Sequence, residues 1–96
     1  MSHPTPETAA AEAVRRFVGR VPSDGLSRLE AQVSSRRGMP LLCAVEAVLA
    51  QALPRAAAQE LVWLGGAPAP GAHLLRLRAL GPGGVLLGEE AYELVG

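Results

Sequence analysis

The stretch from Pro40 to Leu53, PLLCAVEAVLAQAL, decides which fold this sequence is expected to adopt. Its large apolar residues recur at helical spacing among alanines, which favours an amphipathic helix. Residues 41–49, however, form a nearly continuous apolar run that only Glu46 interrupts. A run of this length is also compatible with a buried strand. Periodicity alone does not separate the two interpretations, so the flanking sequence has to be considered.

An internal repeat in the flanking sequence favours the strand. Residues 13–49 align with residues 59–95, and Phe17-Val18-Gly19 then matches Trp63-Leu64-Gly65. Self-similarity at a fixed period indicates a repeated structural unit. Because the second copy ends in a segment with strand character, residues 41–49 are predicted to form a strand as well.

Two segments have the features of helices. Thr5-Pro6-Glu7 combines an N-cap residue, a proline at the first helical position and an acid in the first turn. Helical spacing of apolar residues continues from there to about Gly19. Arg55 to Leu64 is predicted to be a second, short helix that ends before two glycines. Residues 1–5 are expected to be a flexible tail.

The remaining segments indicate strands. Residues 29–34 and 73–80 alternate with period two, which is typical of strands with one buried face. Gly81-Pro82-Gly83-Gly84 is a clear turn signal, and residues 85–95 are predicted to complete a hairpin with the strand before it.

These elements predict the α+β class. Two helix–loop–β-hairpin repeats, at about residues 6–53 and 54–96 of a single domain, would form a small antiparallel sheet covered by helices. A helix at residues 40–53 would instead give three helices and a wing-like hairpin, which is the arrangement of a winged helix.

Composition argues against several classes of function. All nine basic residues are arginine and nine residues are acidic, so the net charge is zero and non-specific nucleic-acid binding is not expected. No apolar run approaches the roughly 20 residues of a membrane span. The N-terminus lacks the pattern of a signal peptide, so a cytoplasmic location without membrane association is expected.

The absence of lysine, isoleucine and asparagine, which have AT-rich codons, indicates a GC-rich bacterium.

The apolar composition also suggests self-association. Hydrophobic residues make up 49% of the chain. A chain of this length buries only about two-thirds of its unfolded surface, so a dimer interface would add to its stability. A homodimer is therefore expected.

Three residues whose side chains could take part in chemistry or binding are expected to have structural roles instead. Cys43 lies in an apolar stretch and is predicted to be a buried free thiol. His73 has no second His or Cys at ligand spacing, so no metal site is predicted. Trp63 corresponds to Phe17 in the repeat and is predicted to pack in the core.

Four residues near the C-terminus are the candidate ligand-binding residues. Arg76 and Arg78 lie on one face of a predicted strand and are the best anion contacts in the chain. The predicted hairpin places Arg76 opposite Glu89. Glu90 and Tyr92 share a face of the last strand and offer an acid and a phenol. No catalytic residue and no cofactor are assigned.

The second unit resembles a known family. It contains Leu64-Gly65, Pro68-Ala69-Pro70-Gly71, an Arg-bearing strand, a Gly-rich turn and a strand that reaches Tyr92. This succession is similar to the UTRA effector-binding domain, which has a chorismate-lyase-like fold. The first unit, from Pro22 to Leu53-Pro54, looks like that family's earlier hairpin. The chain would be a reduced member, because little sequence separates its two hairpins.

The resemblance implies a small organic ligand held between hairpins and helices, in a chain that does not itself bind DNA. The predicted function is therefore a non-enzymatic small binding module for a small anionic molecule or a protein partner. One alternative is a small lyase or isomerase, in which Arg76 or Arg78 positions an anionic substrate and Glu90 moves a proton. Another is a winged-helix nucleic-acid-binding regulator.

Overall fold

Two helices and four strands form the part of the chain that the computed structural model describes, residues 5–22, 25–36, 38–53, 57–64 and 72–95. The elements are, in chain order, α1 (Pro6–Arg20), β1 (Arg28–Ser34), α2 (Gly38–Ala52), β2 (Ala58–Trp63), β3 (Ala72–Leu80), a 3-10 turn (Pro82–Gly84) and β4 (Leu86–Val95). The predicted α+β class is confirmed. Residues 1–4 of the predicted tail lie outside the described residues, as do residues 65–71.

Helix α1 forms where the sequence predicts it. The Thr5 hydroxyl accepts a hydrogen bond from the backbone N–H of Thr8 at 3.2 Å, which caps the first turn. Pro6 occupies the first turn, where its missing N–H costs no hydrogen bond. The helix buries one apolar face: Ala10, Ala13, Val14 and Phe17.

Residues 41–49 are helical, so the strand expected from the repeat is wrong. The local spacing explains why. The buried large residues of α2 lie at positions i, i+4, i+7 and i+8, which form one face of a helix but would fall on both faces of a strand. These residues are Leu41, Val45, Val48 and Leu49.

The helix predicted for residues 55–64 is wrong as well, because residues 58–63 form strand β2. This strand runs parallel to β1, and its ends are fixed by hydrogen bonds from Ala58 N to Ser27 O at 3.0 Å and from Leu64 N to Val33 O at 2.8 Å. Pairing with a neighbouring strand thus overrides the local helix propensity of this segment. The third helix of a winged-helix arrangement is therefore absent from the described residues.

The strands form one mixed sheet in the order β2-β1-β3-β4. β1 and β2 are parallel and are joined through α2, whereas β3 is antiparallel to both β1 and β4. The expected pair of helix–loop–β-hairpin repeats in an antiparallel sheet is therefore not formed. Within the described residues the one hairpin is β3–β4.

The turn of this hairpin alters the predicted register. Gly83 and Gly84 have φ values of +78° and +84°, which favour glycine. An irregularity between Ala79 and Leu80 then shifts the pairing. As a result Glu89 lies opposite Arg78, and the predicted pairing of Glu89 with Arg76 is wrong.

Both helices cover the same face of the sheet, with α1 against β3 and β4 and α2 against β1 and β2. This inner face holds the core, whose central residues include Leu29, Val33, Leu75 and Leu77. None of the helices in the described ranges is both long and apolar enough to cross a membrane.

Two side chains expected in the core lie outside it. Trp63 is 48% exposed; its ring lies against Gly38, and its Nε1 donates a hydrogen bond to the backbone oxygen of Ser35 at 2.8 Å. Cys43 is exposed on α2 because it lies off the helix face that contains Leu41 and Val45.

Candidate functional site

The candidate site is on the outer face of the sheet, opposite the helices. Strand alternation places every second residue of β1 and β3 on this face. From β1 these are Arg28, Glu30, Gln32 and Ser34, and from β3 they are Leu74, Arg76, Arg78 and Leu80. Both predicted anion contacts, Arg76 and Arg78, are therefore on the outer face.

Arg78 belongs to a network of ion pairs. Its Nη1 lies 3.7 Å from Oε1 of Glu30, and its Nε lies 3.0 Å from Oε2 of Glu89. Arg28 extends the network, at 4.0 Å from Glu30 and 3.5 Å from Glu60. Two carboxylates thus already neutralise the Arg78 guanidinium, which makes this residue a poor contact for a further anion.

Arg76 has no ion pair or side-chain hydrogen bond with any described residue. It lines a cleft of about 280 Å³ together with Leu64, Leu74 and Ala91. Gln32 and Ser34 add polar groups to the lining. The volume is close to the lower limit of small-molecule sites, about 300 Å³. This cleft combines an unneutralised cation with apolar walls, which suits a small organic anion.

Glu90 and Tyr92 lie on the inner face, away from both arginines. Glu90 Oε1 accepts a hydrogen bond from Arg20 Nη1 at 2.7 Å, and the Tyr92 hydroxyl donates to Glu90 Oε2. Because Arg20 is on α1 and the other two residues are on β4, this cluster holds the helix against the strand. The four predicted ligand-binding residues therefore do not form a single site.

We expect the environment of Tyr92 to produce a measurable pH dependence. Burial, the hydrogen bond to Glu90 and the negative charge of Glu90 raise the pKa of Tyr92 from 10.0 to about 12. The folded state then holds the phenolic proton more tightly than the unfolded chain does. The resulting stabilisation is fully present below pH 10 and is lost as the pH rises towards about 12.

Absorbance of the phenolate provides the measurement, because Tyr92 is the only tyrosine in the chain. Glu90→Gln removes the negative charge but leaves the burial, so we expect its Tyr92 pKa to lie between the ordinary value and that of the wild type. A wild-type pKa at the ordinary value would contradict the described contact.

Ser35 and His73 form a buried polar pair that no pattern in the sequence indicates. The side chains of Ser35 and His73 are hydrogen-bonded, with Oγ and Nδ1 at 2.5 Å, and both residues are buried. Together with the bond from Trp63 to the Ser35 backbone, this pair links the end of β1 to β2 and β3. The two residues are 38 positions apart, and no spacing signal in the sequence relates them.

Neither a metal centre nor a known relative defines the site further. In the described part of the chain, no group of three or more His, Cys, Asp or Glu side chains could hold a metal ion. No protein-family model matches the chain, and no curated protein or solved structure matches it either.

Proposed function

We propose that this chain is a non-enzymatic binding module that holds a small organic carboxylate in the cleft beside Arg76. The observation that carries the proposal is the unpaired Arg76 guanidinium at the wall of an apolar cleft. A planar guanidinium can donate two parallel hydrogen bonds to a carboxylate, and such charge-assisted bonds are stronger than neutral ones. The UTRA-like resemblance also implies a small organic ligand, although it places that ligand between hairpins and helices rather than on the outer face of the sheet.

The lining of the cleft suggests how such a ligand would lie. Leu64 and Leu74 are both exposed, so an apolar group placed against them would remove hydrocarbon surface from water. The Gln32 amide lies on neighbouring β1 and can hydrogen-bond a polar substituent. The ligand class is thus a compact molecule with a carboxylate at one end and an apolar body.

The position of the predicted proton-transfer residue favours binding over catalysis. The enzyme alternative assigns proton transfer to Glu90, which pairs with Arg20 on the inner face of the sheet. None of the described lining residues of the cleft is a His, Cys, Asp or Glu. The described lining residues themselves therefore supply no group for proton transfer.

We expect benzoate and hexanoate to shift the amide NMR signals of residues around the cleft, whereas benzamide and hexanamide should not. Arg76→Gln should weaken carboxylate binding by about 10- to 100-fold, since a hydrogen bond to a charged group is worth about 1.5–3 kcal/mol. NMR titration measures dissociation constants even when the affinity is low.

Arg15→Gln is the matched control. It removes the same charge from an exposed position on α1, on the other side of the sheet. Its carboxylate affinity should equal that of the wild type. The proposal fails if the two amides bind as well as the acids, or if Arg76→Gln binds benzoate with unchanged affinity.

A further inference from the structure

Strand β2 is an edge strand of the sheet, and among the described residues no further strand pairs with it. The N–H groups of Ala58 and Leu64 point to β1, where both donate hydrogen bonds. Because backbone groups alternate in direction along a strand, Gln59, Leu61 and Trp63 direct their N–H and C=O groups away from the sheet. Such an edge is a template for pairing with another strand.

The side of the molecule formed by α2 and β2 has few charges. Within these two elements the charged residues are Glu46 and Glu60, and Glu60 is already paired with Arg28. The side formed by α1 and β4 is much more charged: it contains Glu7, Glu12, Arg15, Arg16, Arg20, Glu89, Glu90 and Glu93. Large exposed apolar side chains also lie at α2 and β2, namely Met39, Trp63 and the adjoining Leu64.

We propose that the β2 edge pairs with the β2 edge of a second copy of this chain. The two strands would run antiparallel about a two-fold axis at Leu61. The two four-stranded sheets would then form one continuous sheet. This homodimer does not depend on ligand binding at Arg76.

The register about Leu61 is self-complementary. It places Gln59 opposite Trp63 of the second copy, and Glu60 opposite Val62. No charge faces a like charge, and the exposed Trp63 gains a neighbour from the second copy. The net charge of the chain is zero, so long-range repulsion does not oppose this association.

The other edge of the sheet, strand β4, is less suited to a second copy. Strand β4 contains Glu89, Glu90 and Glu93 and no base. A two-fold pairing centred on Ala91 would place Glu89 opposite Glu93 twice, and like charges directly opposite each other are destabilising. Charged side chains of this kind are a common protection of edge strands.

Helix α2 extends the proposed interface. It packs over β1 and β2, so joining two β2 edges brings both α2 helices to the same face of the combined sheet. Met39 and Cys43 are exposed on this helix, and its one charged residue is Glu46. The helices can therefore approach each other with little desolvation of charge.

The size of the contact sets the expected affinity. A six-residue strand is about 20 Å long, and the molecule is 18 Å thick along its shortest axis. The contact therefore falls below the roughly 800 Å² per partner of a standard interface. We expect a reversible dimer with a micromolar dissociation constant rather than a permanent one.

Sedimentation velocity over micromolar to millimolar concentrations tests the proposal. Gln59→Pro removes an outward N–H without removing a bond to β1, and proline is tolerated on edge strands. We expect its dissociation constant to rise at least about tenfold, by the loss of paired edge hydrogen bonds. Gln59→Ala keeps the N–H and is the matched control, so it should dimerise like the wild type.

Hydrogen exchange of the wild type gives a measurement that does not rely on a variant. The amides of Gln59, Leu61 and Trp63 should become protected as the concentration rises. A wild type that stays monomeric at millimolar concentration would overturn the proposal. So would a Gln59→Pro protein that dimerises normally, or concentration-dependent protection confined to β4. Arg76→Gln should leave dimerisation unchanged, which separates this test from that of ligand binding.

Discussion

Replacing Leu77 with alanine is expected to lower the free energy of unfolding by about 3–5 kcal/mol. Leu77 is fully buried at the centre of β3, between β1 and β4 and beneath the helices. Its neighbour on β1 is Ala31, whose small side chain cannot expand into the space left behind. The change therefore removes apolar contacts and also leaves a cavity. A chain of this size has a total stability of roughly 5–15 kcal/mol, so much of it would be lost.

Urea unfolding followed by circular dichroism measures this effect. Leu86→Ala is the matched control, because Leu86 is 50% exposed at the start of β4. Its cost should stay below about 1 kcal/mol, as for exposed positions in general. Equal losses in the two variants would show that Leu77 is not at the centre of the core.

Gly38→Ala is expected to destabilise the protein by about 1–3 kcal/mol, the usual cost of overpacking. A Cβ atom at this position would overlap the indole ring of Trp63. The ring has to move, and its hydrogen bond to the Ser35 backbone is then lost. Trp63 is the only tryptophan, so its fluorescence should shift to longer wavelength in the variant.

Gly19→Ala provides the comparison for this prediction. Gly19 is in α1, and a Cβ atom there would have nothing within 4 Å. Alanine in place of glycine within a helix is stabilising by up to about 1 kcal/mol, so the two substitutions should have opposite signs. An unchanged Trp63 spectrum in Gly38→Ala would contradict the described packing.

The segments that local signals define were predictable from the sequence. The Thr5 cap and the Pro6 start define α1, and period-two alternation defines β1 and β3. Helix α2 could also have been predicted, because its buried residues have helical spacing. The internal repeat, which favours a strand at residues 41–49, is a weaker guide to this segment than the helical spacing. Strand β2 was not predictable locally, since its hydrogen bonds to β1 come from residues 30 positions earlier.

The residues of the candidate site were only partly predictable, because some of their contacts also come from distant parts of the sequence. Alternation places Arg76 and Arg78 on one face, as the sequence indicates. Arg78 is neutralised by carboxylates and Arg76 is not. This difference depends on Glu30 of β1 and on the shifted register that brings Glu89 to Arg78. Both are long-range features. The inward position of Glu90 and its pairing with Arg20 likewise depend on where α1 packs.

The central position of β1 has a consequence for how the chain acquires its structure during synthesis. Residues 28–34 are made before both of their neighbours in the sheet, which are residues 58–63 and 72–80. A growing chain therefore carries an unpaired central strand until these later residues have been translated. The β3–β4 hairpin is made after β1 and β2 and can form locally. Nascent chains stalled before residue 72 should thus lack the complete sheet and expose apolar surface to chaperones.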